Sequence, residues 1–243
     1  MKTSRLVTLP LKVLQSRSCY ALLPDPKMKN ITAILFDLDG TLCETGDSII
    51  KSYLFTLEKM GVTTPPFDSM KKFLGPPLVE NFKELVGSAR VDEAVKIYRH
   101  HYFDEGGMYE AKPYDGIAET LAHLKKAGKG LFVATAKAKY IGDKLIEHFG
   151  FTDFFTALYG IIPELSMHKK ADVIALAMKE HSLSPACTIM IGDRNQDVQG
   201  AKANNIGCVG VLWGYGSEAE LREAGAVALV KHPQGLLAMI LNC

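Results

Sequence analysis

Short apolar runs that close on Gly, Asp or Thr alternate along this chain with longer stretches of helical period. A strand whose residues are apolar without alternation has both faces buried, and in a sheet this requires helices packed on either side. The alternation therefore predicts parallel strands joined by crossover helices, a three-layer α/β core of the Rossmann-like kind. Strands are expected over residues 33–36, 130–134, 156–159, 188–191 and 208–212, with 226–230 as an added edge. Helices are expected over 117–127, 139–149, 170–181 and 197–204. The first two stop at Gly128 and Gly150, and Lys125 and Lys126 lie in the last turn of the first; both features favour a helix end.

Between about Asp47 and Lys112 this rhythm breaks. The interval keeps helical periodicity, is interrupted by Pro65, Pro66, Pro76 and Pro77, and offers no strand. It reads as an inserted helical cap over 47–112, with helices near 48–60, 67–73, 78–86 and 91–102, set into a core formed by 28–46 and 113–243. Residues 1–27 form a leader expected to be poorly structured. Its Lys2, Arg5, Lys12 and Arg17, with no acid before Asp25, also match the composition of a transit peptide. Met28 opens a stretch that reads as an ordinary start, so a leader, a targeting segment and a start set too early all stand as readings.

A length of 243 residues with 47% apolar content is enough for a full core. The 28 basic and 27 acidic side chains nearly cancel and no stretch is strongly basic, so the electrostatic footprint of a nucleic-acid binder is missing. Five scattered cysteines lack the paired spacing of zinc sites or disulfide frameworks, and reduced thiols in a cytoplasmic protein are the simplest expectation. No apolar run approaches the roughly 18 to 20 residues that cross a bilayer, so no membrane partner is expected.

The first strand runs into Phe36-Asp37-Leu38-Asp39-Gly40-Thr41. Two residues apart on an extended backbone, Asp37 and Asp39 point to one side, at the carboxyl end of the strand where open parallel sheets bind ligands. Taken alone, Asp and Gly at a strand end describe an ordinary turn. Three further features follow in order at the same end of predicted strands. Thr135 closes the second strand, the pair Lys169 and Lys170 opens a helix, and Asp193 and Asp197 follow the fourth strand.

The joint pattern resembles the four motifs of the haloacid-dehalogenase superfamily, and within it the phosphoglycolate-phosphatase-like members whose helical cap follows the first motif. The likeness extends through Gly75-Pro76-Pro77-Leu78, the return segment 109–116, the run 192–202 and Gly210-Val-Leu-Trp-Gly-Tyr-Gly-Ser217. It implies a phosphatase that moves a phosphoryl group from a small phosphate ester to Asp37 and then to water. A phosphate monoester repels an anionic nucleophile unless cations neutralise its oxygens, and Mg2+ suits a cluster of Asp37, Asp193 and the backbone carbonyl of Asp39. The resemblance implies that Asp39 protonates the leaving alcohol and later activates water. Thr135 would hydrogen-bond a phosphoryl oxygen, and the residue after it is Ala136 where the family often carries Ser or Asn. The register Lys170-Ala-Asp-Val-Ile174 matches the family's lysine better than Lys169 does, although one of the two must point away. Asp197 would support the metal through water or orient Lys170.

Substrate choice would fall to the cap and its surroundings: the Gly75 turn, Glu44 and Lys137. A compact ester is expected, such as phosphoglycolate, a nucleoside monophosphate or a sugar phosphate, handled by a monomer or homodimer. Haloacid dehalogenases and phosphonate-cleaving relatives lack the second acid, so Asp39 argues against both. A phosphosugar mutase and a catalytically silent phosphate-binding module remain as alternatives. Gly214-Tyr-Gly-Ser-Glu-Ala219 matches the dinucleotide fingerprint G-x-G-x-x-A, but no acid follows at the ribose-binding distance and it does not open a strand–helix–strand unit. The histidines, including His100 and His101, show no metal spacing.

Overall fold

The computed structural model describes residues 30–162, 167 and 169–241. The leader, Met28, Cys19 and Cys243 lie outside them.

Six strands form one parallel sheet: β1 (Ala33–Phe36), β4 (Gly130–Ala138), β5 (Ala157–Ile161), β6 (Thr188–Gly192), β7 (Gly207–Val211) and β8 (Ala228–Val230), in the order β5-β4-β1-β6-β7-β8. All four residues of β1 are buried, as the unbroken apolar run requires. Ile34 and Phe36 enter the core on one face, and Ala33 and Leu35 that on the other. With β4 on one side of β1 and β6 on the other, the chain reverses its direction of winding at the carboxyl end of β1. Open α/β sheets have their ligand crevice at such a switch point.

The flanking helices are α4 (Ile117–Lys126), α5 (Lys139–His148), α6 (Lys170–Glu180), α7 (Asn195–Ala203), α8 (Glu218–Ala224) and α9 (Pro233–Leu241). Neither α8 nor α9 was expected from periodicity. Ser217 caps α8 by accepting the Glu220 amide, and α9 is so apolar throughout that it lacks a strong polar face.

Between β2 (Cys43–Glu44) and β3 (Lys112–Pro113) stand the inserted helices α1 (Gly46–Lys59), α2 (Leu78–Val86) and α3 (Val91–Arg99), with a 3-10 helix over Phe67–Phe73. The two-residue antiparallel ladder of β2 with β3 ties the two crossings together; strands this short have no pattern for a sequence to display. The helix expected over 91–102 instead ends at Arg99 and widens into a π turn over His100–Asp104. Tyr98 and Tyr102 stack at 5.5 Å across that change, and Phe103 packs edge-on to Tyr102. The core face holding Phe36 continues into Tyr53, Phe82, Tyr98 and Tyr102 of this insertion. His101 meets Ser52 at 2.9 Å and stacks on Phe55, while His100 stands on the surface beside Asp104.

Candidate active site

Asp37 leaves the end of β1 with its amide bound to Ile191 of the neighbouring strand. Its Oδ1 accepts the Leu38 amide at 2.7 Å and meets Lys170 Nζ at 2.6 Å. Lys170 opens α6 and is buried. It also reaches Asp197 Oδ1 at 2.8 Å and the Ala134 carbonyl at 3.2 Å, so one ammonium joins three elements. Lys169 is exposed, and its backbone amide binds Asp172.

Asp193 follows β6 and is fully buried. Its Oδ1 accepts the Thr41 hydroxyl at 3.3 Å and its Oδ2 the Tyr215 amide at 2.7 Å. The loop after β7 packs so tightly here that a Cβ on Gly214 would stand 2.3 Å from the Gly40 carbonyl, and one on Gly216 1.9 Å from the Asp193 carbonyl. The glycines of the apparent dinucleotide fingerprint thus serve close backbone approach to the acid loop. Asp197, in the first turn of α7, also accepts the Arg194 amide at 3.0 Å.

Asp37, Asp193 and Asp197 each offer a carboxylate oxygen, all within 4.8 Å of one another. Three buried acids face one lysine. Burial, the Asp197 charge and, more weakly, Asp39 push Asp37 up to about 7 against the pull of Lys170. Burial, then Asp197 and Asp37, push Asp193 up to about 8. For Lys170, burial works against the charge, yet Asp197 and Asp37 outweigh it and hold the ammonium above its usual range. The surplus of buried negative charge and the all-oxygen donor set fit a hard divalent cation such as Mg2+.

The carboxylate of Asp39 stands apart from that group. Its Oδ1 accepts the Thr45 hydroxyl at 2.6 Å and its Oδ2 pairs with Lys137 Nζ at 3.1 Å. Lys137 lies almost wholly within the protein and also meets the Tyr102 hydroxyl at 3.2 Å. Burial opposes its charge, but Asp39 and Tyr102 more than compensate, and its ammonium is held above the ordinary lysine range. Thr135 is buried and its hydroxyl accepts the Lys137 amide.

Asp37, Asp39, Thr135, Lys137 and Lys170 line one cleft of about 360 Å³, together with Gly75 and the apolar residues Ile49, Leu78, Tyr102 and Phe103 of the insertion. Glu44 is not among the lining residues. Its Oε1 accepts the Gly46 amide at 2.7 Å and the Tyr215 hydroxyl at 3.1 Å, so it fastens the start of α1. Two residues not singled out from the sequence complete the site. Tyr215 accepts the Thr45 and Gly46 amides at 2.8 and 2.6 Å. Arg194 donates to the Leu74 carbonyl and to Glu220, both at 2.9 Å, tying the acid loop to the turn before Gly75. The position of Arg194 directly after Asp193 was the available signal; its partner lies 120 residues away and leaves no local trace.

Acids and a buried lysine thus converge at the carboxyl edge of a parallel sheet, in a cleft that the helical insertion helps to line. Residues 34–211 match the haloacid dehalogenase-like hydrolase family. A 5'-nucleotidase from Pseudomonas aeruginosa is 39% identical over 191 residues, which is 78% of this chain and 86% of that protein. Tyrosine-protein kinase PtkA from Mycobacterium tuberculosis is 34% identical over 199 residues, 82% of this chain and 68% of that protein. The crystal structure of a predicted phosphatase from Clostridium acetobutylicum superposes with a TM-score of 0.79 at 38% identity, covering 88% of this chain and 99% of the other. The chain belongs to the haloacid dehalogenase-like hydrolase family, as an enzyme of its phosphatase branch. Among the described residues, no helix is long and apolar enough to cross a membrane.

Proposed function

We propose that the protein is a magnesium-dependent phosphatase of small phosphate monoesters working through a phosphorylated Asp37. The observation that carries this reading is the placement of Asp37 on the cleft floor, 2.6 Å from Lys170 and grouped with Asp193 and Asp197, with a second acid, Asp39, in the same cleft. Asp37, Asp193 and the backbone carbonyl of Asp39 would hold Mg2+, with Asp197 supporting the ion through water or orienting Lys170, which it meets at 2.8 Å. When bound, the ion would neutralise the acid cluster and the phosphoryl oxygens.

An oxygen of Asp37 attacks phosphorus and the bond to the ester oxygen breaks. Asp39 supplies a proton to the departing alkoxide. Asp39 then takes a proton from water as that water attacks phosphorus, the bond to Asp37 breaks, and inorganic phosphate leaves. Lys170 holds Asp37 in place and offers positive charge to the transferred group, and Thr135 offers a hydroxyl in the same cleft.

Residues 47–112 are assigned as the cap that covers the substrate, and the cleft volume favours a small ester over a macromolecule. A cytoplasmic setting is supported by the free thiols of Cys43, Cys187 and Cys208. The test is release of phosphate from an aryl phosphate with and without Mg2+. Turnover is expected only with the ion, and full turnover in excess chelator refutes the reading.

A further inference from the structure

Asp39 is fixed at both carboxylate oxygens, and one of the two supports is itself held by the insertion. Its Oδ1 accepts the Thr45 hydroxyl at 2.6 Å, and its Oδ2 pairs with Lys137 Nζ at 3.1 Å. Lys137 carries its ammonium on a flexible four-carbon stem, so the charge keeps one position only where further partners hold it. Among the described residues, the hydrogen-bond partner of that ammonium other than Asp39 is Tyr102. Lys137 Nζ donates to the Tyr102 hydroxyl at 3.2 Å and stands 5.3 Å from the centre of the Tyr102 ring.

Tyr102 is in turn held firmly. It is 2% exposed, stacks on Tyr98 at 5.5 Å and meets Phe103 edge-on. It lies in the π turn over His100–Asp104, a local widening of the kind that helices often carry at functional positions. Tyr98, Tyr102 and Phe103 all line the cleft, as does Lys137 near the end of β4. The bond from Tyr102 to Lys137 therefore crosses from the insertion to the core beside the second acid.

We propose, granting the phosphatase reading above, that Tyr102 is a positioning residue of the reaction: it holds Lys137, Lys137 holds Asp39, and the insertion thereby sets the geometry of proton transfer. Asp39 bears a proton when it meets the leaving oxygen and none when it meets water. Its ion pair with Lys137 is strong only in the second state. While Asp39 is protonated, the hydroxyl and ring of Tyr102 are uncharged partners that keep the ammonium where it is. The carboxylate that forms as the proton departs then finds its counter-ion already in place, with no side chain left to rearrange.

The experiment uses the full chain with Mg2+ and compares kcat/KM for phenyl phosphate and 4-nitrophenyl phosphate. The two esters are similar in shape, but phenolate is the poorer leaving group and depends more on the proton from Asp39. Tyr102→Phe removes the hydroxyl and keeps the ring. It is expected to lower kcat/KM for phenyl phosphate at least about fivefold more than for 4-nitrophenyl phosphate. A merely structural role for Tyr102 would lower both alike. Lys137→Gln is expected to widen the same ratio, and adding Tyr102→Phe to it should widen the ratio no further. Equal losses on the two esters in a folded Tyr102→Phe variant overturn the inference and leave the phosphatase reading standing, as does further widening in the double variant. Should Tyr102→Phe fail to fold, Lys137→Gln decides, and an unchanged ratio there overturns the inference. Absence of phosphate release from both esters with the wild-type protein would refute the phosphatase reading itself and this inference with it.

Discussion

Asp37 and Asp193 hold their protons more tightly than ordinary carboxylic acids because each is buried beside further carboxylates with a single lysine among them. Their pKa values rise from 3.8 to about 7 and about 8, so the folded protein keeps protons that the unfolded chain has released. Stability without metal is therefore unaffected by these groups below about pH 4 and falls as pH rises from there towards about 8. Mg2+ competes for the same oxygens, so the gain in melting temperature on adding it should be larger at pH 8 than at pH 5. Calorimetry at both values checks this, and an equal gain would contradict the electrostatic account. Asp37→Asn removes the proposed nucleophile and one of the repelling charges at nearly constant volume. Turnover should drop by at least about a thousandfold, while the metal-free melting temperature at pH 8 stays level or rises. These acids were legible in the sequence because a parallel strand ends in a fixed direction and its terminal residues share a side. The pairing of Lys137 with Asp39 was not legible, since it depends on how β4 runs past Thr135 towards α5.

At the scale of elements, the joints between sheet and insertion are made by single side chains. Tyr215, from the loop after β7, satisfies the first amides of α1 through its hydroxyl. Tyr215→Phe leaves the buried Thr45 amide without its acceptor, while the Gly46 amide keeps Glu44, and should cost about 1–3 kcal/mol, measurable by denaturant unfolding. Gly75 sits at φ +107° with its missing Cβ 2.6 Å from Arg194 Nη1. Gly75→Val forces both an unfavourable backbone and a shift of Arg194. It should lower activity on the best small ester by about tenfold or more, with a smaller loss on an aryl phosphate; equal losses would place this turn outside substrate selection. Periodicity revealed α2 and most strands to within a few residues because each buries a regular face. It missed the β2–β3 ladder, the π turn and the Arg194 bridge, because these are fixed by contacts distant in sequence rather than by local pattern.

Across the whole molecule, four motifs far apart in the chain meet because every strand of the sheet is parallel and delivers its end to one edge. That rule made the edge readable before the structure, whereas the volume and charge balance of the cleft depend on how the insertion sits above it. The central claim is that the phosphoryl group rests on Asp37 during turnover. The most direct measurement is to quench the protein in acid during turnover of a small ester with Mg2+, reduce it with borohydride and sequence the peptides by mass spectrometry. An acyl phosphate is reduced to homoserine, so homoserine at position 37, appearing only with both substrate and metal, is the predicted result. Homoserine at a different acid, or none anywhere in samples quenched during rapid turnover, would contradict the account.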